Sequence, residues 1–142
     1  MLEGEFPAAG EATRDELRAA YDDLLAATIQ SAETSTVAGE TGIDESTLEA
    51  LLDSDSPKLS LEDTAAILGT DSDRPDAETI LAEARNILLM GMSAAVLDVE
   101  AVAAGIDDEM EPKEIQQKIE GRHPMSLDEY ALLHSYIEGE KR

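Results

Sequence analysis

The chain spells one order of helix starts and stops twice, and this doubling limits what it can fold into. Gly42-Ile43-Asp44 recurs as Gly105-Ile106-Asp107, an offset of 63 residues. Ser60-Leu61-Glu62-Asp63 recurs as Ser126-Leu127-Asp128-Glu129, an offset of 66. Upstream of the first pair the offset is again 63: Leu17 matches Ile80, Tyr21 matches Ala84, Leu24 matches Ile87, Leu25 matches Leu88 and Ala38 matches Ala101. Three extra residues in the second turn, within IDDEMEP, account for the change of offset. Internal repeats of this kind alter the whole fold expectation. Here they predict an all-α chain of two similar four-helix halves.

In the second half, Asp98 is placed to cap a helix running to Ala104, and Gly105 is expected as the left-handed residue that ends it. Pro112 suits a first helical turn, where its missing N–H costs nothing. Ile115 and Ile119 are one turn apart and share a face. Gly121 closes that helix. Ser126 and Glu129 form a capping box, with Leu127, Tyr130, Leu133 and Ile137 as the apolar stripe of the last helix.

The first half reads the same way. Thr13 and Glu16 make a capping box. Leu17, Tyr21, Leu24, Leu25 and Thr28 point inward, and Asp15, Arg18, Asp22 and Asp23 are expected as a solvated face. A short helix over 36–41 ends at Gly42. Another opens at Asp44 or Glu45, with Leu48, Leu51 and Leu52 inward. Ser60 with Asp63 caps a fourth, with Leu61, Ala65 and Leu68 inward, and Gly69 ends it. Residues 70–75 are an acidic linker. Pro75 is expected to start a long helix through Met92 or beyond. Ile80, Ala84, Ile87, Leu88 and Met92 form its core face, widened by Leu89 and Met90. Apolar on nearly all sides, it is expected to be the buried central helix. Residues 1–12, broken by Gly4, Pro7 and Gly10, are expected as a flexible acidic arm. The predicted divisions are thus the arm 1–12, a first repeat over 13–70 and a second over 71–142.

Charge restricts the setting. The chain holds 33 acidic against 10 basic residues, a net charge of −23, yet its 42% hydrophobic content is too high for a disordered acidic tail. Such a surface repels itself, and it is tolerable where salt shortens the Debye length to about 3 Å at 1 M. The composition therefore points to a cytoplasm with molar salt, of haloarchaeal type. No cysteine is present, so disulfide and thiolate chemistry are excluded. The longest apolar run, 87–97, is too short for a membrane span of about 20 residues. The acidic start does not read as a signal peptide. A cytoplasmic location without membrane contact is expected.

Catalytic motifs do not emerge. His123 and His134 lack ligand spacing for zinc. Asp53-Ser54-Asp55 and Asp71-Ser72-Asp73 lack the glycine and closing glutamate of a calcium loop. Neither a phosphate-binding loop nor a nucleophile elbow is found. The chain is expected to be non-enzymatic, with no cofactor.

Each half resembles the Cro/repressor-type helix-turn-helix family. The first carries Val37-Ala38, Thr41-Gly42-Ile43, Leu48, Leu52 and Ser60-Leu61; the second carries Ile119-Glu120-Gly121, Pro124 and Ser126-Leu127. Two departures stand out: the enlarged second turn, and a first recognition-type helix, DESTLEALLD, with no basic residue. The whole chain also resembles a small acidic family of haloarchaea with no assigned function. The resemblance implies a regulatory protein that contacts DNA or RNA through a recognition helix. Residues 1–111 hold five basic against 27 acidic residues, net −22, whereas residues 112–142 hold five against six, net −1. Asp44, Glu45, Glu49 and Asp53 would repel phosphate, so reading by the first half is rejected. In the second half Lys113, Gln116, Gln117, Lys118, Arg122 and His123 are the candidate nucleic-acid contacts, since Gln can pair with adenine and Arg with guanine or phosphate. The competing reading of Lys113 and Lys118 is that they only offset Glu114 and Glu120. DNA through residues 112–123 is the expected partner. The alternative is an adaptor in which degenerate repeats bind another protein.

Overall fold

The computed structural model describes residue 6 and residues 8–141. Among these the chain is all-α, with eight helices and no strand: α1 (Arg14–Ala32), α2 (Thr34–Thr41), α3 (Glu45–Leu52), α4 (Leu61–Leu68), α5 (Ala77–Ala95), α6 (Val99–Gly105), α7 (Pro112–Ile119) and α8 (Leu127–Glu140). The local chemistry behind the boundaries is visible. Both halves of the capping box are made at Thr13–Glu16 and at Ser126–Glu129. Gly42 ends α2 in the left-handed conformation, and Pro112 occupies the first turn of α7.

Four local expectations are corrected. The long helix is opened by Asp76, whose carboxylate accepts from Thr79 N–H, so Pro75 lies just before the cap. Gly105 is the last residue of α6 and does not end it by a left-handed turn; Asp107 and Asp108 take those conformations, at φ 57° and 58°. The reason for glycine at 105 is close approach, because a Cβ there would stand 2.0 Å from the ring of Tyr136. The expected arm is partly docked: Gly4 and Pro7 lie outside the described residues, but Ala9–Glu11 form a 3-10 turn against α8. Ala9 is buried there, and the hydroxyl of Ser135 donates to the carbonyl of Ala12 at 2.5 Å. The fourth correction concerns α5.

Helix α5 is not a buried central helix. Ile80, Ala84, Leu88 and Met92 are buried and Ile87 is half-buried, while Leu89 and Met90 are 47% and 57% exposed. Among the described residues no element packs on the side that carries 86, 89, 90 and 93. Apolar composition all round a helix therefore does not translate into cover all round. The most surrounded helix is α8, which meets α1, α4, α5, α6 and the 3-10 turn.

Packing follows a regular scheme. Helix α1 lies on α4 and α8, and α5 lies on α8 and α4. Helix α2 meets α3 and α4, and α6 meets α7 and α8. Helix α1 also reaches α3, as α5 reaches α7. At the starts of α4 and α8 the backbones join. Leu61 N–H donates to the Met125 carbonyl and Leu127 N–H to the Leu59 carbonyl, both at 2.8 Å, so Ser60 and Ser126 form one antiparallel bridge. Among the described residues no single helix is long and apolar enough to cross a membrane; α5 and α6 qualify only as a pair, and they meet at 92°.

The core is mostly Leu, Ile and Ala, with one aromatic cluster. The Phe6 and Tyr21 rings meet edge to face, with centroids 4.9 Å apart, and Tyr21 stacks on His134 at 6.2 Å. Tyr130 lies 5.4 Å from His134 and donates its hydroxyl to the Ala84 carbonyl at 3.0 Å. Burial raises both tyrosines well above their usual range. It pushes His134 down to about 3, helped by the Lys141 charge. A neutral His134 presents Nδ1 as acceptor to the Tyr21 hydroxyl at 2.6 Å. Its N–H is then assigned to Nε2, which faces Glu138 at 3.9 Å.

Candidate contact surface

Helix α7 is amphipathic in the simplest way. Ile115 and Ile119 are buried against the core, so Lys113 and Gln116 are exposed on the outer side and Gln117 is half-buried at its margin. The bend that follows exposes Arg122 and His123. The six candidate residues therefore do lie on one helix and the loop after it.

Their partners divide them. Lys118 is drawn inward, with its side chain only 12% exposed. Its ammonium donates to Glu114 at 2.7 Å and to Glu129, the capping-box residue of α8. Burial works against the charge on Lys118, but the two carboxylates outweigh it and hold the ammonium above its usual range. Lys118 in turn keeps the Glu114 carboxyl below the usual range. The residue thus ties α7 to α8. Arg122 sits 3.3 Å from Glu120, and the Gln116 amide donates to the other oxygen of Glu120 at 3.3 Å. Lys113, Gln117 and His123 have no side-chain hydrogen bond or ion pair among the described residues.

The surroundings are acidic. Asp107, Asp108, Glu109 and Glu111 lead into α7, and of these Glu109 holds Arg14 at 3.2 Å. On α3 the exposed acidic side chains are Glu45, Glu49 and, at its two ends, Asp44 and Asp53. The carboxylates of Asp71 and Asp76 accept from nearby backbone N–H groups, as loop and cap carboxylates do. No group of three or more His, Asp or Glu among the described residues is placed to hold a metal ion.

One charged pair is not where helical periodicity alone puts it. Arg18 and Asp22, expected on a solvated face, are both buried, at 4% and 6% exposure. The Arg18 guanidinium donates to Asp22 at 2.9 Å, to Asp128 of α8 at 3.0 Å and to the Pro57 carbonyl at 2.5 Å. Asp22 also accepts from the Ser56 hydroxyl at 2.5 Å. One signal of this is in the sequence: 18, 22, 25 and 29 continue at helical spacing into the apolar stripe, so the pair has to share its burial. At the position of Asp22, 63 residues on, stands Arg85. Its guanidinium lies against Gly121 in the loop after α7, and its Nε is buried without a hydrogen-bond partner among the described residues.

Residues 17–140 match the model of a family of unknown function (DUF5791). No curated protein and no solved structure matches the chain.

Proposed function

The chain belongs to that family of unknown function, which brings no activity with it, and we propose from its own geometry that it is a non-catalytic adaptor of a high-salt cell. Two helix-turn-helix-like halves, 13–70 and 71–142, are fused into one body that binds another protein. The bridge supports the two-half arrangement. Exchanging residues 59–61 with 125–127 turns the bond from Leu61 to Met125 into the bond from Leu127 to Leu59. Exchanging α1–α4 with α5–α8 likewise turns the packing of α1 on α8 into that of α5 on α4. Both exchanges are what a twofold axis between Ser60 and Ser126 would produce, and they support the two-half reading.

The adaptor reading is carried by the state of the basic residues on α7. Phosphate binding gains its free energy from freed cations that release counterions, and the gain fades as salt rises. Lys118 and Arg122 already hold carboxylates, and four acidic residues stand where a recognition helix would enter the groove. In molar salt the remaining Lys113 cannot anchor a duplex. A nucleic-acid reading keeps one observation in its favour, the unpartnered exposed Lys113 and His123 beside Gln117.

Affinity capture from lysate in molar KCl, with and without nuclease, separates the two. The adaptor reading expects a defined protein that survives nuclease treatment. Sequence-selective binding of genomic fragments in molar KCl, weakened by Gln117→Ala, would sink it.

A further inference from the structure

In the first half, Asp22 is closed off by Arg18 and by the Ser56 hydroxyl. At the matching places of the second half stand Arg85, Leu81 and Arg122, so Arg85 inherits no acceptor from them. The chain holds 33 acidic residues, yet among the described residues Arg85 makes no ion pair and no hydrogen bond. Its guanidinium lies face-on against Gly121. A Cβ there would stand 2.7 Å from Cζ, 2.9 Å from Nη1 and 3.1 Å from Nε. Nε is sealed by this contact, but Nη1 and Nη2 are neither buried nor bonded, so the outer edge of the fork is open. The same loop exposes Arg122 and His123. Further on, Pro124, Met125 and Ser126 line an open groove of about 360 Å³ with Lys58 and Leu59 opposite. Lys58 is exposed and has no partner among the described residues. Glu129, also in that groove, is already occupied by the Ser126 N–H and by Lys118.

We propose that Arg85 and the loop 121–126 are the adaptor's docking site, and that they receive a glutamate or aspartate carboxylate from an acidic segment of another protein. The proposal rests on the adaptor reading and gives it a surface and a partner chemistry. The two carboxylate oxygens accept parallel bonds from Nη1 and Nη2, a match that a planar fork makes and a lysine does not. A half-buried charge without a partner is costly, and the arriving carboxylate relieves that cost. The rest of the acidic segment runs along the groove beside Lys58.

Salt and charge choose the occupant. At 1 M salt the attraction between exposed charges fades within about 3 Å, so only direct contact remains effective. Arg85 suits direct contact, because backbone covers one face of its guanidinium and the fork is held in place. Proteins that share such a cell share its acidic surfaces, so carboxylates are what a partner presents. Nucleic acid would need a run of freed cations, whereas Lys118 and Arg122 beside this loop already hold carboxylates.

The test uses the full chain in molar KCl. Its probes are a short labelled peptide of alternating glutamate and serine, and the same peptide with glutamine for glutamate. Fluorescence anisotropy should show the glutamate peptide binding about tenfold tighter. The Arg85 Nε–H signal, sheltered from exchange, should shift in NMR spectra with the glutamate peptide and stay in place with the other. Arg85→Lys keeps the charge and loses the fork. It should weaken the glutamate peptide about tenfold, to the level of the glutamine peptide, with the circular dichroism unchanged. Arg85→Met should leave the urea midpoint of the free chain unchanged or raised. A lowered midpoint would show that the guanidinium is satisfied within the chain, and would overturn the proposal. So would equal binding of the two peptides, or an Nε–H that responds to exchanging chloride for methanesulfonate and to neither peptide. An oligonucleotide that binds through Arg85 more tightly than the glutamate peptide, or a dimer that Arg85→Lys dissolves, would overturn it in favour of another occupant. A lysate protein captured equally well by wild type and Arg85→Lys would leave the adaptor reading standing and remove this site from it. Failure of the wild type to capture any protein would remove the adaptor reading, and the proposal with it.

Discussion

His134 contributes to stability only while it is neutral. Its folded value, about 3, lies below the usual 6.5. The unfolded chain therefore takes up the proton first as pH falls, and the stability tied to the neutral ring is lost on going down from 6.5 towards 3. The slope is at most about 1.4 kcal/mol per pH unit. Glu16, Asp76 and Glu114, all held below their usual range, add in the same direction at lower pH. Urea unfolding of His134→Gln across this range, at fixed KCl, should give a shallower dependence than wild type; an identical slope would clear His134 of the effect. Asp22 is the second residue with a sharp expectation. Asp22→Ala leaves the Arg18 guanidinium buried with one carboxylate fewer, which should cost roughly 3–5 kcal/mol in chemical denaturation. A loss within about 0.5 kcal/mol, as at ordinary surface sites, would mean that Arg18 escapes to solvent.

Elements repeat this division between what is local and what is not. The caps at Thr13, Ser60 and Ser126 can be read directly, because each needs only a hydroxyl and the N–H three residues on. The left-handed Gly42 is legible for the same reason. Gly105 is not, because its neighbour Tyr136 comes from another helix. The apolar count of α5 is correct, but nothing in it can say that its 86–93 side has no facing element among the described residues. The candidate surface divides likewise: residues 113–123 stand out by composition, while the clasp of Lys118 by Glu129 depends on how α7 meets α8. Docking of the 3-10 turn is equally hidden. A Cβ on Gly10 would stand 2.7 Å from the Glu138 carbonyl oxygen, and backbone cannot swing aside as a side-chain end can. Gly10→Ala should therefore lift the turn off α8 and cost about 1–3 kcal/mol. Limited proteolysis should find new cleavage near residues 9–12, and an unchanged digest would show that the turn tolerates the methyl group.

Across the whole molecule, the contacts leave one large effect without an offset, and that is charge. A net −23 on a surface of 7559 Å² is self-repulsion that salt must screen. The Debye length grows from about 3 Å at 1 M to about 10 Å at 0.1 M, so dilution should unfold or loosen the chain. Circular dichroism and urea midpoints along a KCl series should show stability rising into the molar range; a flat series would remove the high-salt inference. Because α1 packs on α8 and α5 on α4, the two sets of four helices share one core, and unfolding should be one transition. The docked turn has a consequence of another kind. It brings the first described residues beside the last, with the Gly10 carbonyl oxygen 3.2 Å from where a Cβ on Gly139 would stand. A short linker joining those ends, with a new opening in the 70–75 segment, yields a circular permutant that keeps every partner of α1–α8. It should reach the same fold, with the halves leaving the ribosome in reverse order.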